Sequence, residues 1–258
     1  METTLKHIHR WPVKGLNSDD LPAVRLDSGK AIFGDRKYAI APGSSTARGT
    51  VDEWMAKSHF FMLARHEKLL NLETSFDTET DTLTICREGK QVARGQLSTP
   101  VGRGIIENFF TAFMGDKAHG QTHIVKAAPG HTLSDHANPV VSIINLTTIK
   151  DLERVTGKTV NPLRFRGNLY IESPEPWLEF NWLEREIAIG ECRLFVTERI
   201  NRCAATNVNP ATALRDMNIP KSLQQGFGHI DLGVYARVVK GGTIHKDDAL
   251  SPVDGVAG

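Results

Sequence analysis

The sequence predicts a mostly β chain with some α, an α+β protein of barrel-like or sandwich packing. Three observations predict it. Short apolar–polar alternations are separated by Gly, Asp and Ser turns, helical spacing is confined to a few segments, and no long apolar run interrupts the pattern. In 258 residues, a hydrophobic fraction of 40% and a charged fraction of 24% are those of an ordinary globular chain and exclude disorder. The length accommodates one large domain or two small ones.

Residues 5–12 read as the first strand, with Pro12 limiting how far it can pair. Val24 and Leu26 alternate with Arg25 and Asp27 before a Ser28-Gly29 turn. Residues 31–40 contain Gly34-Asp35 and then Tyr38 and Ile40 on one face, followed by a Ser-, Gly- and Thr-rich loop at 42–49. Residues 52–57 suit a short helical turn. Leu70, Leu72, Thr74 and Phe76 alternate as a strand, and a turn at 77–81 leads into Leu83 and Ile85, a hairpin. At Gly104 the period changes: Ile105, Ile106, Phe109, Phe110 and Phe113 recur at helical spacing, and Gly115 stops them. A strand at 122–127 precedes Pro129-Gly130, the expected boundary between domains 1–128 and 129–258.

A polar loop at 131–139 opens the second half, followed by an apolar strand at 140–146. Thr148 and Asp151 have capping-box spacing before a helix that runs to Gly157. Residues 161–172 read as extended, which puts Arg164, Arg166 and Asn168 on one face. Ile187 to Val196, folded at Gly190-Glu191, reads as a hairpin, and residues 233–239 as another strand.

Composition excludes several function classes. Lys plus Arg is 31 against 30 for Asp plus Glu, a net charge of +1, so neither nucleic acid nor a membrane surface is an expected partner. The first 16 residues lack the apolar core of a signal peptide, and three cysteines make no disulfide framework, so the cytoplasm is the expected location. There is no P-loop, no Gly-x-Ser-x-Gly elbow and no paired-cysteine zinc spacing; Gly102-Arg-Gly104 lacks the third glycine of a dinucleotide loop. His119 and His123 read as surface residues.

Chemistry concentrates at Cys203. It follows Arg202, with Arg199, Asn201, Thr206, Asn207 and Asn209 nearby. Guanidinium charge favours thiolate, the form that ligates metals and attacks electrophiles, and the short polar side chains suit a loop that presents donors to an anion. A small buried filler is the alternative reading of Cys203 and stays open on these residues alone. Cys86 and Cys192 lie in apolar strand patterns and read as structural. Arg164, Arg166 and Asn168 suit a phosphate or the edge of a heterocycle, against the alternative of a solvated strand face. Lys14-Gly15 and Gly34-Asp35-Arg36 are weaker candidates; the glycines permit close approach to the backbone.

Taken in order, Trp11-Pro-Val-Lys-Gly-Leu16, Gly34-Asp-Arg-Lys-Tyr38, Pro139 to Leu146, Arg164-Phe-Arg-Gly-Asn168, Pro176-Trp177 through Trp182, Ile187 to Gly190, Arg202-Cys203, Thr206 to Pro210 and Gly233 to Ala236 resemble the MOSC family. That family is the molybdenum cofactor sulfurase C-terminal domain, here with its N-terminal β-barrel, and the resemblance spans about residues 5–250. It implies an N-terminal barrel domain packed on a β-rich MOSC barrel with a few helices, and a molybdopterin bound between them. In relatives similar to the mitochondrial amidoxime-reducing component, the position of Cys203 ligates molybdenum. Positions matching Lys14, Gly15, Arg36, Asn145, Arg166, Asn168, Asn201 and Arg202 contact the pterin and its phosphate. Gly15, Gly167 and Asn209 depart from the residues common in relatives, which are Ser, Pro and Asp.

The function so implied is reduction of N-hydroxylated or N-oxide small molecules at a molybdenum cofactor. Neither the iron–sulfur domain nor the desulfurase domain of some relatives is recognisable, so an external electron-transfer protein or reductase is the expected partner. Two alternatives stand beside this. One is a sulfur carrier that takes persulfide sulfur onto Cys203 from a cysteine desulfurase; the other is a non-catalytic molybdopterin carrier.

Overall fold

The computed structural model of the chain describes residues 2–253. Alternation in the first strand gives β1 (Thr3–Arg10), and the chain returns as β2 (Asp19–Leu21) and β3 (Ala23–Leu26). Two short strands follow, β4 (Tyr38–Ala41) and β5 (Thr50–Val51). The expected hairpin is the meander β6 (Glu73–Asp77), β7 (Thr82–Arg87) and β8 (Lys90–Gln96). Next comes α1 (Pro100–Met114), which starts four residues before the change of period: Thr99 accepts a bond from the Gly102 amide, and Pro100 occupies the first turn. Gly115, at φ 58°, ends it. β9 (His123–Ala127) then pairs with both β4 and β5.

The second half contains β10 (Val141–Asn145), α2 (Leu146–Thr156), β11 (Leu169–Glu172), β12 (Glu186–Ile189), β13 (Cys192–Asn201) and α3 (Ile219–Phe227). It ends in β14 (Asp231–Lys240), β15 (Gly242–His245) and β16 (Ala249–Pro252). The strand order β11-β10-β14-β13-β12-β16-β1 closes through a β11–β1 pairing into a seven-stranded barrel, with β2 paired to the outside of β1. The architecture is thus mostly β with three α-helices, as expected. Residues 254–258 of the expected second domain lie outside the described residues.

The barrel takes its first strand from the far end of the chain. β1 runs antiparallel to β11 and β16, and β3 pairs with β15, so the sheet crosses sequence position 128. Inside the barrel, Leu5 and Ile8 pack with Val141, Ile143, Leu194, Val196, Val234 and Ala236. α2 is the crossover between the parallel pair β10 and β11. A second core joins β4, β6, β7, β9 and α1 through Tyr38, Leu83, Ile85, Ile106 and Phe110.

Two local expectations are corrected. α2 is capped by Asn145, not by the Thr148 box, because the Thr148 hydroxyl donates to buried Glu179. Residues 161–172 are not uniformly extended: Pro162–Phe165 forms a 3-10 turn capped by Asn161, and Arg166 has φ 50°. Arg164, Arg166 and Asn168 therefore do not share a strand face.

Candidate functional site in the basic cleft

A cleft of about 460 Å³ lies between the barrel and the N-terminal sheets. Pro12 ends β1, and the chain turns through Val13 to Gly15 beside Tyr38, which brings Lys14 to the cleft. Gly15 has φ 86°, a left-handed conformation in which a residue with a side chain would be strained. The loop before β4 contributes Arg36, and the turn between α2 and β11 contributes Arg166. Both are non-glycine residues with positive φ, 46° and 50°, so the two strained positions present guanidinium groups to the same space.

Arg166 lies over the Trp11 ring, 3.9 Å from its centroid, while the Trp11 indole N–H donates to Gly167 O at 2.8 Å. Arg36 Nη2 donates to Arg166 O at 2.7 Å and Arg36 Nη1 to Asp35 Oδ2 at 2.6 Å. The Arg166 guanidinium donates to no protein acceptor among the described residues. Burial, reinforced by Arg36, pushes its pKa down to about 9, which leaves it charged at neutral pH.

Lys14 Nζ donates to Leu133 O at 2.9 Å and pairs with Asp135 Oδ1. Burial lowers the Lys14 pKa, Asp135 opposes that, and the neighbouring Arg36 and Arg166 add to the lowering. Burial alone would raise Asp135; Lys14 and Lys57 overcome it and hold the carboxyl below the usual range. The loop that carries Asp135 is tied down at His136, whose Nε2 lies 2.8 Å from Glu198 Oε1.

Cys203 follows the end of β13, half-buried, at the start of a 3-10 turn. Thr206 fixes that turn by donating through both N and Oγ1 to Cys203 O, at 3.1 and 2.8 Å. Arg202 is buried and directs its guanidinium at Leu232 O and Phe165 O; burial pushes its pKa down to about 10. Its donors are thus committed to the backbone. The cation in hydrogen-bonding reach of the Cys203 thiol is Lys57, whose pKa is raised because Asp135 and Cys203 outweigh desolvation.

The structure brings Lys14, Gly15, Arg36, Arg166, Asn168, Asn201, Arg202, Cys203 and Thr206 to one cleft. Within it, Asn168 is occupied by Ser142 and by His9 O, and Asn201 by Asp231, so both shape the wall. Asn145 is placed elsewhere. It is fully buried, accepts from Thr147 N and donates to Ser173 and Glu179 at 2.7 Å, and it does not line the cleft. Lys57 and Asp135 escape sequence reasoning because neither belongs to a motif: Lys57 opens a 3-10 turn and Asp135 sits in a polar loop. Seven Lys or Arg side chains line the cleft against three Asp or Glu, in a chain of net charge +1. The arrangement can bind an anion and offer it a thiol.

The closed β-barrel thus carries a cysteine and several cations to one cleft. Residues 129–251 match the family model for the MOSC domain. Among solved structures, the YuaD protein from Bacillus subtilis is similar at 12% identity and TM-score 0.45, over 97% of this chain and 94% of that one. YiiM from Geobacillus stearothermophilus (19% identity, TM-score 0.36) and YiiM from Escherichia coli (20%, 0.35) each align with 46% of this chain and 56% of their own. No curated protein matches the chain. No helix among the described residues is long and apolar enough to cross a membrane.

Proposed function

We propose that the cleft holds a molybdopterin-type molybdenum cofactor and that the protein reduces N–O bonds of N-hydroxylated or N-oxide small molecules. Electrons would come from an external donor protein, in the cytoplasm. The observation that carries this reading is the pairing, in one cleft, of half-buried Cys203 with the Arg166 guanidinium, which has no protein acceptor among the described residues. A phosphate-bearing, metal-chelating anion satisfies both: the guanidinium fork matches phosphate oxygens, and soft thiolate suits molybdenum.

Bound there, the cofactor would supply a redox-active metal for oxygen transfer. The chain's own residues do the rest. Arg166, braced on Trp11, and Arg36 would hold the phosphate; Lys14 would neutralise remaining charge; and Cys203 would ligate the metal. Lys57 would add positive charge on the same cleft wall, and Thr206 fixes the Cys203 backbone by donating to its carbonyl. The 131–139 loop, held by Asp135 and His136, forms one wall of the cleft.

The test is molybdenum and pterin analysis of the wild type beside Cys203→Ala, with turnover of a hydroxylamine under a chemical reductant. The expected result is molybdenum and turnover in the wild type and loss of both in the variant, with unchanged circular dichroism. Wild-type protein that carries no pterin and is inert would overturn the proposal. The proximity of Lys57 and Cys203 also favours a second reading, sulfur transfer. There the thiolate takes sulfane sulfur from a desulfurase, and intact mass would show one added sulfur on Cys203 in protein without molybdenum.

A further inference from the structure

The register of β1 shifts between Leu5 and His7, so that Leu5 and Ile8 both enter the barrel. This leaves His7 and His9 side by side outside it, their rings stacked with centroids 6.0 Å apart and an interplanar angle of 25°. Asp20, on β2, lies directly opposite His9 in the antiparallel register. One ligating atom from each of His7, His9 and Asp20 lies within 4.8 Å of the other two. None of the three lines the cleft that holds Cys203.

We propose that His7, His9 and Asp20 form a second, independent site for a divalent transition-metal ion of the zinc class. Two imidazoles and one carboxylate are a borderline-soft ligand set that suits zinc and its neighbours and not magnesium or calcium. Bonds of roughly 2.0–2.1 Å in a tetrahedron put ligand atoms about 3.3 Å apart. His7 and Asp20 are exposed, and side-chain rotation supplies that contraction. His9 is already oriented: its Nδ1 lies 3.2 Å from Ser18 Oγ and its ring meets Tyr170 edge-on.

Lys246 tunes the site. Its ammonium contacts both Asp20 oxygens, at 2.9 and 3.0 Å, and must swing away when an ion binds. Arg10 takes no part, being paired with Asp19 at 2.8 Å. A bound ion would join β1 to β2, and because β1 also pairs with β11 and β16, it would stabilise the barrel as a whole.

The experiment is calorimetric titration of the full chain with zinc chloride, in a Cys203→Ser background that removes the competing thiol, together with thermal unfolding with and without zinc. One ion is expected to bind and to raise the melting temperature. His7→Ala, at an exposed position that leaves the fold intact, and Asp20→Asn should each weaken binding by about tenfold or more. Lys246→Gln should tighten it severalfold by removing the competing ammonium. His9→Gln is the less informative variant, because His9 packs against Tyr170 and Trp11. Zinc binding unchanged in His7→Ala, or absent from the parent at millimolar zinc, would overturn the proposal.

Discussion

Position 167 has no room for a side chain. A Cβ there would lie 2.3 Å from Ile144 Cγ1, and Ile144 is fully buried. The backbone cannot retreat, because Gly167 N donates to the Tyr170 hydroxyl at 3.0 Å and Gly167 O accepts the Trp11 indole N–H at 2.8 Å. Packing against Ile144 therefore favours glycine at this position. Gly167→Ala is expected to destabilise the protein by about 1–3 kcal/mol, the cost of overpacking a filled core. The urea midpoint measures this, and an unchanged midpoint would show that Ile144 yields freely. The same change displaces Arg166, so ligand binding in the cleft should weaken with it. The residues that carry chemistry were partly legible at this scale. Cys203 and Arg166 stood out as a lone cysteine beside guanidinium and as a dense donor run. Lys57 and Asp135 did not, because their meaning comes from tertiary contacts such as Lys14 with Asp135, 121 residues apart in sequence.

Among the elements, the 131–139 loop is held at the cleft by polar contacts. It is held by Leu133 N donating to Arg36 O at 2.9 Å, by Lys14 with Asp135, and by His136 with Glu198. Because the folded state lowers the Asp135 pKa, its ion pair stabilises the protein above the unfolded carboxyl value of about 3.9. That contribution is lost as pH falls through the lowered folded value. Asp135→Asn should therefore cost on the order of 1 kcal/mol at neutral pH, held down by the exposure of the carboxyl, and nothing at the acid end. Urea midpoints across the acid range check this; a deficit that persists below the folded pKa would contradict it. Removing a carboxylate from the basic cleft should also tighten inorganic phosphate binding, an effect that added salt should weaken. Most elements were legible because a period of two or 3.6 survives in the residues. The exceptions have local causes: at 161–165 an Asn-Pro pair starts a 3-10 turn where alternation suggested a strand, and at α2 the Thr148 hydroxyl serves Glu179 instead of the helix end.

On the scale of the whole molecule, the barrel is longer in sequence than its family match. The matched segment, residues 129–251, supplies six of the seven barrel strands, and β1 closes the gap between β11 and β16. Without β1, two strand edges lie open, with their N–H and C=O groups unpaired. Leu5 and Ile8, both fully buried, would leave holes in the core, and removing such side chains costs roughly 2–5 kcal/mol each. That sum is comparable to the roughly 5–15 kcal/mol by which a domain is stable. Polar contacts add to it: Asn168 would lose His9 O at 3.1 Å, and Gly167 O would lose Trp11. This closure could not be read from the chain, because nothing in the pattern of residues 3–10 names β11 or β16 as a partner. A fragment of residues 129–253 is therefore expected to lack a cooperative unfolding transition and to aggregate by size-exclusion chromatography. Residues 2–26 joined to it through a flexible linker should restore a monomer with native near-ultraviolet dichroism, since they return β1 together with β2 and β3. A bare 129–253 fragment that stays monomeric and melts cooperatively would show that the barrel holds without its first strand, and that β1 serves the cleft alone.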